Sequence, residues 1–69
     1  MVAMQITLNG EPLELPSTLT LIELIDRQGL RDARVAVELN GAIAPRSQHH
    51  CVMIQPGDRI EIVRALGGG

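Results

Sequence analysis

Asn-Gly occurs twice, at Asn9-Gly10 and Asn40-Gly41, each time between segments in which apolar residues alternate with others. Both residue types tolerate the positive φ that a two-residue hairpin demands, so each pair predicts a tight turn between antiparallel strands. Before the first turn, Met4, Ile6 and Leu8 alternate with Gln5, Thr7 and Asn9. After it, Leu13 and Leu15 alternate with Pro12, Glu14 and Pro16. This is the period of half-buried strands. Prolines lack the ladder N–H, which assigns the second strand to a sheet edge. Around the second turn, Val35, Val37 and Leu39 mark one strand, and Ala42-Ile43-Ala44 a short one that Pro45 ends.

Between the two hairpins the pattern changes to that of a helix. Thr20 and Glu23 have the spacing of a capping box, and Leu19 and Leu24 that of a hydrophobic staple. Leu21, Ile22, Leu24 and Ile25 are expected to share the buried face, opposite Glu23, Asp26 and Arg27. Gly29 can take the left-handed conformation that stops the helix, and Leu30 then folds back onto the core. Further on, Arg46 to His50 reads as a polar connection with one helical turn, and Val52 and Ile54 as a short pairing segment. Pro56-Gly57-Asp58 turns the chain into a final strand, Arg59 to Arg64.

A hairpin, a crossover helix and further strands point to a two-layer α+β fold. The expected architecture is a ubiquitin-like β-grasp: a mixed sheet of four to five strands packed on one main helix, with a flexible C-terminal glycine tail. Residues 1–3 are an N-terminal extension, 4–66 the β-grasp domain and 67–69 the Gly-Gly-Gly tail. Met1 and Met4 both qualify as the natural start.

With 69 residues, 45% of them apolar, the chain can build one core. It has no Phe, Tyr or Trp on which to stack a flat cofactor or a nucleobase. Its net charge is −2, and its six basic residues are all Arg with no run among them. Nucleic-acid binding needs a concentrated positive field, so that class is excluded. The single Cys51 cannot form an internal disulfide, which fits a reducing cytoplasm. No apolar run approaches the ~20 residues of a membrane span, and the expected location is cytoplasmic.

Conventional catalytic groups are poorly placed. Ser17 and Ser47 lack His and Asp partners at a useful spacing. Glu11, Glu14, Glu38 and Glu61 fall at outward strand positions rather than in a cleft. His49-His50-Cys51 is contiguous and offers three candidate ligands where a structural zinc site wants four at regular spacing. The expectation there is a solvated loop with one semi-buried thiol, no metal and no bound cofactor.

The end of the chain is different. Gly67, Gly68 and Gly69 follow a strand through Leu66, and without side chains they can enter a narrow channel. Extended, three residues reach roughly 10 Å. The tip carries a free α-carboxylate, which reacts only after an ATP-dependent partner turns it into a mixed anhydride. The chain contains no lysine, so an activated end would find only the α-amine on its own chain. An arginine-biased composition explains the same absence.

Three stretches carry a resemblance: Val35 to Arg46 (VAVELNGAIAPR), Gly57 to Val63 (GDRIEIV) and Ala65 to Gly69 (ALGGG). With Ile6 to Glu11 and the helix from Thr20, they resemble the sulfur carrier proteins of thiamine thiazole synthesis, from Met4 to Gly69. The resemblance implies a protein co-substrate rather than an enzyme. Its Gly69 would be a glycyl adenylate and then a thioglycine, with Gly67 and Gly68 as the tail. Leu66, Arg64 and Ile43 would contact partners, although Ile43 could equally fill the core. The implied partners are an E1-like adenylyltransferase using ATP and magnesium, cysteine-desulfurase-derived sulfur, and thiazole synthase. Ala44 stands where the family often has a larger aliphatic residue, and the aromatic often found after Pro45-Arg46 is absent. Rival readings are the small subunit of molybdopterin synthase, a ubiquitin-like protein modifier, and an interaction domain with an idle tail.

Overall fold

The computed structural model describes residues 3–64. Both Asn-Gly pairs form the expected turns. Strands β1 (Met4–Leu8) and β2 (Glu11–Leu15) pair antiparallel with Leu8 opposite Glu11, leaving Asn9 and Gly10 as the two turn residues. Strands β3 (Val35–Leu39) and β4 (Ala42–Ala44) pair the same way around Asn40-Gly41. The turn residues have φ of 52° and 83° in the first case and 52° and 88° in the second, as a type I′ turn requires.

Helix α1 (Leu21–Arg27) follows β2, and β5 (Arg59–Arg64) closes the sheet in the order β2-β1-β5-β3-β4. The central β1 and β5 run parallel; every other neighbouring pair is antiparallel. Strand β2 is an edge, as its prolines predict. Pro12 lies opposite Thr7, whose N–H donates to the Asp58 carbonyl across on the other side. The main-chain nitrogen of Pro12 therefore faces outward, where no ladder bond is lost.

The N–H groups from the N-cap Thr20 through Leu24 all find acceptors, the last in the first regular helical bond. Leu21 donates to the Val52 carbonyl, Ile22 to the His49 carbonyl, Glu23 to Thr20 Oγ1 and Leu24 to the Thr20 carbonyl. The Glu23 side chain accepts in return from the Thr20 N–H at 2.8 Å, completing the capping box. At the other end Gly29, with φ of 76°, donates to the Asp26 carbonyl and Leu30 to that of Ile25, a Schellman closure. Leu30 packs against the core, as expected.

The core lies between one sheet face and the helix. Met4, Ile6, Leu15, Leu19, Leu21, Leu24, Ile25, Val37, Ile54, Ile60 and Ile62 form a single buried cluster. Two expectations need correction. Ile22 is 40% exposed rather than part of the buried face. At about 100° per residue it stands well away from the arc that Leu21, Leu24 and Ile25 occupy. The Val52–Ile54 segment forms no strand; its one pairing is an isolated bridge between Met53 and Thr20. Ile54 is nevertheless fully buried, held by its N–H to the Leu19 carbonyl.

Candidate functional site: the open sheet face and the end of β5

One sheet face carries the helix; the other is open. Alternation along β5 sends Ile60 and Ile62 into the core and leaves Arg59, Glu61 and Val63 outside. In register with them stand Ala36 and Glu38 on β3 and Ile43 on β4. Two rows result, Ile43–Glu38–Glu61 across three strands and Ala36–Val63 beside it. Neighbouring strands lie about 4.8 Å apart, so these side chains share one surface. Ile43 is 69% exposed and Val63 60%. Ile43 therefore lies outside the core, which removes the reading that it fills the interior.

Arg64 ends β5 opposite Val35 and is exposed. Leu66, Gly67, Gly68 and Gly69 lie outside the described residues, as does the expected boundary at residue 66. Sequence reasoning missed Val63. The signal was present, because inward Ile60 and Ile62 fix Val63 as outward by alternation alone.

The other candidates separate from this surface. Glu11, Glu14 and Glu61 are exposed and Glu38 is half-buried; Glu38 and Glu61 line a pocket of about 220 Å³ with Thr7 and Arg59, which Glu11 and Glu14 do not join. The loop after β4 reverses the expected burial. His49 is 3% exposed, with Nε2 2.9 Å from the Ala44 carbonyl, whereas Cys51 is exposed and its Sγ donates to the Gln48 carbonyl. The ring is drawn inward because the Ala44 carbonyl at the end of β4 and the N-terminus of α1 close over the same loop. Among the described residues, no group of three or more His, Cys, Asp or Glu side chains could hold a metal ion. No helix among them is long and apolar enough to cross a membrane.

A five-stranded mixed sheet with parallel central strands, crossed on one face by the one α-helix among the described residues, defines a ubiquitin-like β-grasp protein. In such a fold β5 runs directly into the C-terminal segment. Comparison with known proteins then fixes the group: the chain belongs to the ThiS family, whose model matches residues 4–69. A crystal structure of the thiamine biosynthesis protein ThiS from Geobacter metallireducens superposes with a TM-score of 0.82 at 32% identity, covering 96% of this chain and 100% of that one. The sulfur carrier protein ThiS of Escherichia coli is 32% identical over 96% of this chain and 100% of its own length. A thiazole synthase from Paramagnetospirillum magneticum is 36% identical over 96% of this chain. The chain spans 20% of the length of the curated thiazole synthases it matches.

Proposed function

We propose that this chain is a sulfur carrier of thiamine biosynthesis, with the carboxylate of Gly69 as its working group. The observation that carries the reading is the family match through Gly69, together with a sulfur carrier protein matched over its entire length. The carboxylate attacks the α-phosphorus of ATP held with magnesium by an E1-like adenylyltransferase, and pyrophosphate leaves. Persulfide sulfur that originates in a cysteine desulfurase attacks the acyl carbon and displaces AMP; a partner thiol then attacks the other sulfur of the resulting acyl disulfide, is oxidised to a disulfide with it, and leaves a Gly69 thiocarboxylate. Thiazole synthase takes that sulfur in exchange for an oxygen atom from its acceptor substrate or water, and the carboxylate returns. A domain like this one occupies a fifth of two curated thiazole synthases, which supports that enzyme as a partner.

Carriage in this form keeps sulfur covalently bound, and the partners provide the catalytic groups. The chain is a cytoplasmic co-substrate rather than an enzyme. The five residues after Arg64 can reach at most about 17 Å when extended, enough to place Gly69 inside a partner while the sheet stays outside. Ile43, Arg64 and Leu66 make the contacts, with Val63 beside them. Support comes from the exposure of Ile43 and Val63 on the same face that carries the exit strand.

The test is intact-mass analysis after incubation with the adenylyltransferase, ATP and a sulfur donor. A gain equal to replacing one oxygen by sulfur, mapped to Gly69, is the expected result. Conjugation to lysines of other proteins would instead make the chain a modifier. An unchanged mass with a demonstrably active partner would make the tail idle.

A further inference from the structure

Strand β5 leads into the tail, and its two sides are held differently. On the β3 side pairing continues to Arg64, opposite Val35. On the β1 side the register ends at Leu8 opposite Ile60, because β1 turns away at Asn9. The N–H groups of Thr7 and Asn9 donate to the carbonyls of Asp58 and Ile60, each at 2.9 Å. In a regular parallel ladder the next bond would run from the Ile62 N–H to the Asn9 main-chain carbonyl. Here the Asn9 side-chain Oδ1 accepts it instead, at 2.8 Å. A side-chain amide stands where a peptide group of β1 would have been.

The second turn repeats the device. Asn40 donates its N–H to the Arg59 carbonyl at 2.7 Å, and its Oδ1 accepts from the Arg59 N–H at 2.8 Å. Strand β5 is thus gripped near its start by one hairpin tip and at Ile62 by the other. Positive φ alone would be met by glycine at either position; only a side chain with a carbonyl supplies the extra rung.

We propose that Asn9 is a positioning residue that keeps the last part of β5 in line and so delivers the tail to the partner that acts on Gly69. Without its Oδ1, anchoring on the β1 side would stop at Ile60, freeing one side of a further two residues, or about 7 Å of strand, ahead of the tail. A carrier whose exit strand is aligned only part of the time binds with an affinity reduced by that fraction. The reaction of the bound end, performed by partner groups, is unaffected. The inference rests on the reading of Gly69 above, but the first of its two measurements does not.

Asn9→Gly removes the acceptor while preserving the positive φ, and Asn9→Asp restores an acceptor oxygen. In the whole chain, amide hydrogen exchange at Ile62 should rise on the order of tenfold relative to Ile60 in Asn9→Gly, and return towards wild type in Asn9→Asp. In adenylation kinetics, the KM for the carrier should rise roughly three- to tenfold in Asn9→Gly, with kcat retained, and recover in Asn9→Asp. Unchanged exchange at Ile62, or a uniform rise over all core amides, overturns the inference. So does an unchanged KM in Asn9→Gly when the wild type reacts. A wild type that is not adenylated overturns the reading of Gly69 and the delivery role with it, whatever the exchange pattern.

Discussion

The Nε2 atom of His49 lies 2.9 Å from the carbonyl oxygen of Ala44, in a loop whose other polar side chains are exposed. The same residue's main-chain carbonyl accepts the Ile22 N–H at the start of α1. One residue thus fastens the end of β4 to the loop and the loop to the helix. His49→Ala should cost about 2–3 kcal/mol, combining a cavity with an orphaned carbonyl. His50→Ala, one position on and exposed, should change stability by less than about 0.5 kcal/mol. Urea denaturation of the two variants compares them directly; equal midpoints would show that the Ala44 contact contributes nothing.

Asn40 and Asn9 predict unequal responses to the same substitution. The Asn40 Nδ2 donates to Asp58 Oδ1 at 3.0 Å, and the other Asp58 oxygen accepts from the Gln55 N–H. Asn40→Asp would set two carboxylates against each other, and should cost about 1–2 kcal/mol more than Asn9→Asp. Adding Asp58→Asn to Asn40→Asp should recover much of that loss. Chemical denaturation of the double-mutant cycle measures the coupling.

The open face predicts a separation of stability from recognition. Ile43→Glu and Val63→Glu each replace an exposed apolar side chain, so unfolding free energy should move by no more than about 0.5–1 kcal/mol. Sulfur loading by the adenylyltransferase should fall more than about tenfold, as expected when an apolar contact in an interface becomes a buried charge. Loading at the wild-type rate with either variant would remove this face from the partner surface.

Deletion of Gly69 should abolish adenylation, because the carboxylate then sits one residue, roughly 3.5 Å, short of its place. The thermal midpoint should stay within about 1 °C of wild type, since loss of one terminal glycine removes no side chain; among the described residues the buried cluster ends at Ile62. Thermal scanning and intact-mass analysis of the same sample check both halves.

Much of this fold is written locally. The hairpins follow from Asn-Gly flanked by period-two runs, the edge position of β2 from its prolines, and the helix ends from Thr20, Glu23 and Gly29. Each of these signals acts within a few residues of itself. What escaped reading depends on tertiary closure. His49 looks like any polar loop residue until β4 and the start of α1 meet around it. Ile54 resembles a strand residue by pattern, yet it is buried by the loop's passage over the core rather than by a ladder. The open face was half legible: Ile43 emerged from its resemblance to a family, whereas Val63 needed only the parity of its neighbours. The proposed reacting end, Gly67 to Gly69, rests on chemistry and not on geometry, since it lies outside the described residues.

The parallel pairing of β1 with β5 settles where a chemist can safely attach something to this molecule. Thr7 lies opposite Arg59, with Met4 three residues before that pair and Arg64 five after it, so a dye, an affinity handle or a surface tether placed at Met4 sits about 26 Å along the sheet from where β5 finishes. Instrumentation on that side stays clear of the end that is proposed to enter partner proteins.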